Sequence, residues 1–235
     1  MGRRAGMMVR DLHDWRINPE EAREVQRRLA GLVSRHSEVG TTRVVAGVDA
    51  SYPRWRGVGT GSVVLVRYPD LTLLEVRTYS AEFSFPYIPG LLSFRESPLV
   101  LGAWKRLSSL PDLVLVDGQG IAHPRRMGLA SHLGLLLDRP TIGCAKSVLC
   151  GTHGPVGEGR GSWVELVDGG EVIGAAVRTK ERATPVYVSI GHKVDLPSAL
   201  HWTQACCRGY RLPEPLRLAH LASVGELPAT KSVRH

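Results

Sequence analysis

Two aspartates and a lysine stand where chemistry is easiest to build. Asp49 closes the valine-rich run 44–48, Asp117 closes the wholly apolar run 113–116, and Lys146 closes the run 141–145. Short apolar runs of this kind read as strands buried on both faces, and in open α/β sheets sites collect outside the carboxyl ends of the strands. A carboxylate in an apolar setting is strongly disfavoured unless something compensates it. One hard cation would compensate both aspartates. Mg²⁺ prefers oxygen ligands and keeps waters for a phosphate substrate, and it suits such acids as one ion or as a pair about 4 Å apart. The competing reading of either aspartate alone is a turn or helix cap. A third acid, Glu96, lies three residues after Ser93 and beside Ser97-Pro98, where a capping box is the default.

The elements that must carry these residues follow from periodicity. Residues 19 to about 36 place Ala22, Val25, Leu29, Leu32 and Val33 at helical spacing, with Asn18 as cap and Pro19 in the first turn. After the strand at 44–48 come two more, near 61–68 and 72–83, joined at a Pro69-Asp70 turn. Ser97-Pro98 reads as the cap and first residue of a helix with the stripe Leu99, Val100, Ala103, Trp104 and Leu107, ended by Pro111. The strand 113–116, a helix over roughly 126–137 and the strand 141–145 follow, then a Gly- and Arg-rich loop to Gly161. Strands near 163–167, 172–177 and 186–190 lead to a helix at about 198–207, and the last ten residues read as frayed. The βββαβαβ order predicts an α/β fold, a mixed β-sheet flanked by helices, with Asp49, Asp117 and Lys146 at one end of it.

A chain of 235 residues, 43% hydrophobic and 22% charged, has an ordinary soluble composition at the upper size of one domain. A single domain over 1–235 is expected, with its core at about 19–222. No apolar run approaches the ~18 residues of a membrane span. The basic start lacks the apolar core of a secretory signal, so a cytoplasmic address is expected. Thirty Lys and Arg against twenty-two Asp and Glu leave a formal charge of +8, which favours a polyanionic partner through phosphate neutralisation. Cys144, Cys150, Cys206 and Cys207 lack the CxxC pairs of a structural zinc site and read as buried or half-buried free thiols. Two glycine-rich stretches carry no nucleotide motif: 57–61 precedes a strand instead of opening a helix, and 151–161 lacks the lysine and hydroxyl of a P-loop.

The run VDGQGIAHPRRMG, from Val116 to Gly128, resembles a hallmark of the endonuclease V family. The resemblance continues through ASHLG and PTIGCAK to Lys146. It is preceded by GVDASY from Gly47 and FSFPYIPGLLSFRESP from Phe83, and followed by SIGHKVDL from Ser189 and GYRLPEPLRLAH from Gly209. It implies an RNase H-like fold in a single domain, with metal-binding carboxylates at Asp49, Glu96 and Asp117, so that Glu96 passes from helix cap to ligand. Mg²⁺ is the implied metal, with Mn²⁺ as a substitute. Lys146 falls on a lysine beside the scissile phosphate, where a fixed positive charge stabilises the charge that develops in displacement. His123 falls on a phosphate-contacting position, and His220 on one near the metals. Pro86, Tyr87, Ile88 and Pro89 fall on a wedge that fills the gap left by a turned-out nucleotide. Prolines stiffen such a loop, and Tyr87 can stack on exposed bases at roughly 1–3 kcal/mol per base.

Gly90, Gly118, Gly128, Ala145 and Leu149 fall near the family's base pocket, where small residues suit close backbone approach. Hypoxanthine presents an acceptor O6 and a donor N1–H where adenine presents the reverse. A narrow pocket with one backbone N–H and one backbone C=O would accept the first and leave the second mispaired. The implied activity is Mg²⁺-dependent hydrolysis of the second phosphodiester bond 3′ to deoxyinosine in DNA, leaving 3′-hydroxyl and 5′-phosphate ends, in DNA repair. An inosine-specific endoribonuclease and a non-catalytic inosine-binding protein are the alternatives; a base-removing glycosylase needs no metal triad. The expected partner is inosine-containing DNA, or RNA, and the expected state is a monomer.

Overall fold

Residues 8–52 and 57–228 are described by a computed structural model. The chain order is α1 (Pro19–Ala30), β1 (Val44–Ser51), β2 (Val58–Arg67), β3 (Thr72–Glu82), α2 (Leu92–Trp104), β4 (Leu113–Val116), α3 (Leu129–Leu137), β5 (Thr141–Ala145), β6 (Trp163–Asp168), β7 (Glu171–Val177), β8 (Val186–His192), α4 (Leu196–Ala205) and α5 (Glu214–Ser223). The strands form one mixed sheet in the order β3-β2-β1-β4-β5-β8-β7-β6. Its centre is parallel, β1 beside β4 and β4 beside β5, and its other pairings are antiparallel. The wholly apolar runs occupy that centre because helices cover both of their faces.

Alternation along the strands feeds two cores. Val45, Val64, Leu115, Ile142 and Val188 face Leu200 of α4 and Leu216 and Ala219 of α5. Val48, Val63, Leu65, Val114 and Val116 face Leu101 and Trp104 of α2 and Leu133 of α3. The helix α1 lies outside this layer, with Ala22 against Phe85, Leu91 and Phe94, and Leu29 against Met127 and Leu135.

Three elements depart from the sequence expectations. The first helix stops at Ala30 with Gly31 as its cap, and Leu32 is left exposed. More consequential, α2 begins at Leu92, so Ser97 and Pro98 lie inside it and Glu96 is a helical residue facing the interior. Pro98 was expected at the helix start because proline fits there without losing a hydrogen bond. Packing of Leu91 and Phe94 against Phe85 carries the helix past it. Third, α5 was not expected. Its start, Pro213-Glu214-Pro215, looks like a chain breaker, yet proline in a first turn sacrifices only a donor that has no intrahelical partner. The fraying expected at the C-terminus falls mostly on residues 229–235, outside the described residues. Glu226 and Leu227 both donate to the Leu221 carbonyl.

Two glycines set how closely the helices approach the sheet. A Cβ on Gly61 of β2 would lie 2.3 Å from the backbone of Leu99 in α2, and one on Gly47 of β1 would lie 2.0 Å from the carbonyl oxygen of Pro215 in α5. The glycine rhythm at 57–61 therefore lies largely within a strand and serves helix packing. Gly47→Ala should cost about 1–3 kcal/mol, since backbone cannot yield as a side chain can. Gly31→Ala, with nothing within 4 Å, should be neutral. Chemical denaturation of the two variants measures the contrast, and equal midpoints would refute the close-contact account.

Candidate active site

The parallel pairing of β1 and β4 aligns Val48 with Val116, and the Asp117 amide donates to the Val48 carbonyl at 3.0 Å. Asp49 and Asp117 are thereby the next residues on two adjacent strands. Lys146 leaves β5, the neighbouring parallel strand, and its Nζ lies 2.5 Å from Asp117 Oδ2. Glu96 comes from α2, across the sheet from α5. From α5, Ser223 Oγ donates to Asp49 Oδ2 at 2.8 Å, and His220 Nδ1 lies 3.1 Å from the same oxygen. Asp49, Glu96 and Asp117 are all withdrawn from solvent; the Asp117 side chain is 9% exposed, while Lys146 reaches outward at 42%.

Charge is crowded in this space. Burial first, and then the fields of Asp49 and Asp117, push the Glu96 carboxyl up to about 8. Tyr52 hydrogen-bonds Glu96, and burial followed by that acid raises the phenol to about 12. Asp117 is also raised, by burial and by Asp49, against the pull of Lys146. Burial lowers Lys146, but Asp117 outweighs it and holds the ammonium charged. Both partners of one ion pair move upward because the aspartate is the more deeply buried of the two.

Three oxygen-donor acids in one another's field, with a lysine ammonium already drawn to one of them, fit a hard divalent cation. Among the described residues no three of His, Cys, Asp and Glu stand as a closed ligand set. Asp49 is held by Ser223 and His220, Asp117 by Lys146, and Glu96 by Tyr52.

Beside the carboxylates opens a cavity of about 330 Å³ whose wall includes Glu96, Asp117 and Lys146. Gly90, Gly118, Gly128, Ala145 and Leu149 all line it, as do Tyr87, Pro89 and His123. The loop over its mouth exposes Pro86, Tyr87 and Pro89, with Tyr87 58% accessible, while Ile88 turns inward onto the cluster of Phe85, Leu91 and Phe94. Gly90, at φ +78°, ends the loop, and its carbonyl accepts from Gln26 Nε2, His123 Nε2 and Arg125 Nη2 at 2.9–3.0 Å.

His123, which the resemblance places at a phosphate contact, lines the cavity with both ring nitrogens engaged by the protein. Its ring is 2% exposed, Nε2 is bonded to Gly90, and Nδ1 accepts from the Arg125 amide. Burial lowers its pKa to about 4, so here it is a neutral strut beneath the loop. Sequence reasoning passed over Tyr52, Ser223 and Gln26. Gln26 carried a signal, since it is a polar residue on the buried stripe of Ala22 and Leu29. The four cysteines are free, and Cys150 alone among them is only half-buried.

Among protein families, the Endonuclease V model matches residues 27–221. The chain belongs to the Endonuclease V family. It is 48% identical over 215 residues to the endonuclease V of Dehalococcoides mccartyi, covering 92% of this chain and 96% of that one. The endonuclease V structure from Streptomyces avermitilis superposes with a TM-score of 0.85 at 42% identity, covering 93% of this chain and 96% of the other. Ciona intestinalis endonuclease V, solved with a 24mer DNA containing an inosine followed by a ribo-adenosine, matches with a TM-score of 0.76 at 29% identity, covering 88% and 96%. The protein is thus a nuclease, a hydrolase of the family whose fold its eight-stranded sheet reproduces. Among the described residues no helix is long and apolar enough to cross a membrane.

The buried proton on Glu96 has a consequence for the metal-free protein. Its folded pKa of about 8 lies above the ordinary 4.5, so its stabilising contribution is complete below the unfolded value and is lost as pH rises through the folded one. In EDTA, Glu96→Gln should gain in Tm relative to the parent between about pH 5 and pH 8.5. A difference that stays constant across that window would overturn the assignment.

Proposed function

We propose that this member of the family recognises hypoxanthine, the deaminated form of adenine, in DNA and hydrolyses the second phosphodiester bond on its 3′ side. The ends left are 3′-hydroxyl and 5′-phosphate, the metal is Mg²⁺ with Mn²⁺ able to replace it, and the setting is DNA repair in the cytoplasm. One observation supports this above the rest: a cavity with glycine and alanine backbone in its wall opens directly onto buried carboxylates. The inosine-containing DNA bound to the Ciona relative points the same way.

Asp49, Glu96 and Asp117 are the residues that would hold the metal. When bound, the ion supplies Lewis acidity toward a phosphate oxygen and a water activated for in-line attack. The chain's own residues do the rest. Small residues around the cavity let backbone N–H and C=O groups read the base edge, and adenine would leave them mispaired in a dry site. Tyr87 stacks in the gap left by the turned-out nucleotide, on a loop held rigid by the three donors to Gly90. Lys146 stands at the cavity wall with its charge secured by Asp117, placed to stabilise the charge developing on the phosphate. His220 and Ser223 orient Asp49 through its Oδ2.

A second reading, an inosine-specific endoribonuclease, is favoured by the ribonucleotide that follows inosine in the Ciona complex. A gel assay separates the two, using labelled strands with one deoxyinosine or one inosine and undamaged controls, each in Mg²⁺ or EDTA. A metal-dependent nick 3′ of the lesion is expected in DNA, and Asp117→Ala should abolish it while retaining lesion binding. Nicking by Asp117→Ala at the parent rate would refute the metal assignment. Tyr87→Ala should weaken cleavage of duplexes by roughly tenfold, the worth of one stacked base, and of single strands by less. Equal losses on both would remove Tyr87 from the wedge role.

A further inference from the structure

A second hollow lies beyond the carboxylates, a groove of about 540 Å³ lined by Ser51, Tyr52, Thr60, Thr78, Ser80 and the end of α5 from Ala222 to Gly225. It begins where the metal site ends. Tyr52 hydrogen-bonds Glu96, Ser223 donates to Asp49, and both residues line the groove. The carboxylates therefore adjoin both the base cavity and this groove.

Strand register builds the floor. Ser51 pairs with Thr60 and Thr60 with Ser80, and Ser51 shares a face of β1 with Asp49 because side chains two apart point the same way. With strands about 4.8 Å apart, the three hydroxyls span roughly 10 Å. Thr60 Oγ1 and Ser80 Oγ lie 2.8 Å from each other. One donates to the other, which leaves one hydroxyl hydrogen of the pair for an acceptor in the groove. Among the described residues no side chain that lines the groove is charged.

We infer that this groove holds the sugar-phosphate backbone of the strand 3′ to the cleaved bond. The inference rests on the 3′ cleavage proposed above: with the base in the first cavity and the cut bond over the carboxylates, the second hollow that adjoins those carboxylates is the one open to the continuing strand. Serine and threonine hydroxyls are regular partners of phosphate and sugar oxygens, and they set the register of a strand without reading its sequence.

The test uses two 5′-labelled inosine strands, one ending about two nucleotides beyond the cut and one about ten beyond. Each is cleaved by the unaltered protein and by the double variant Thr60→Val/Ser80→Ala. The unaltered protein should show the higher kcat/KM on the long strand. The variant should lose roughly fivefold on that strand, the worth of one net hydrogen bond, and its long-to-short ratio should fall to near one. Taking the ratio within each protein cancels any difference in folded fraction. A ratio preserved in the variant, or no length preference in the unaltered protein, overturns the groove assignment. Failure of the unaltered protein to nick either strand instead sinks the inosine-nuclease reading, and the groove assignment with it.

Discussion

Burial of like charge is the constraint on which this structure turns. Asp49, Glu96 and Asp117 are withdrawn from water in one another's field, and burial together with the two aspartates pushes the Glu96 carboxyl up to about 8. Such an arrangement survives only if the surrounding fold over-determines it. The over-determination comes from several directions: a serine and a histidine from α5 on Asp49, a lysine after β5 on Asp117, and a tyrosine after β1 on Glu96. The partners come from three separate parts of the chain, so the site is stable only when the sheet and the helices on both faces are assembled.

Close packing makes that assembly possible. Glycine at 47 and 61 lets α5 and α2 approach opposite faces of the sheet near the strands that carry Asp49. Larger residues there would move the helices that bear His220 and Glu96 away from the strand end. Fold and site are in this sense one object. The same economy holds at the cavity, where the carbonyl of Gly90 gathers three donors and ties the exposed loop of Tyr87 to α1 and to the segment after β4. His123 belongs to this tie, its ring buried and held neutral.

The centre of the fold was legible in the sequence. The strands at 113–116 and 141–145 are read to the residue, because each is a short run without charge that is bounded by proline or a charged residue. The edges of elements were less so: α2 was expected six residues late and α5 not at all, since local rules treat Pro98, Pro213 and Pro215 as boundaries. In α2 the tertiary contacts of Phe94 with Phe85 decide the matter, and those residues lie far enough apart that no helical periodicity connects them.

By itself the sequence determined that Asp49, Asp117 and Lys146 would emerge together at one end of a mixed sheet, because each follows a strand whose apolar run can only be buried. Its ordered motifs also determined the family. Only the tertiary structure decided that Glu96 lies inside a helix facing those aspartates, that His123 turns inward, and that Tyr52, Ser223 and Gln26 complete the site. The physical reason is the same for each. Burial of a polar side chain, the shift of its pKa and its choice of partner depend on what lies across the core, and such neighbours come from elements far apart in the chain, which no local pattern encodes.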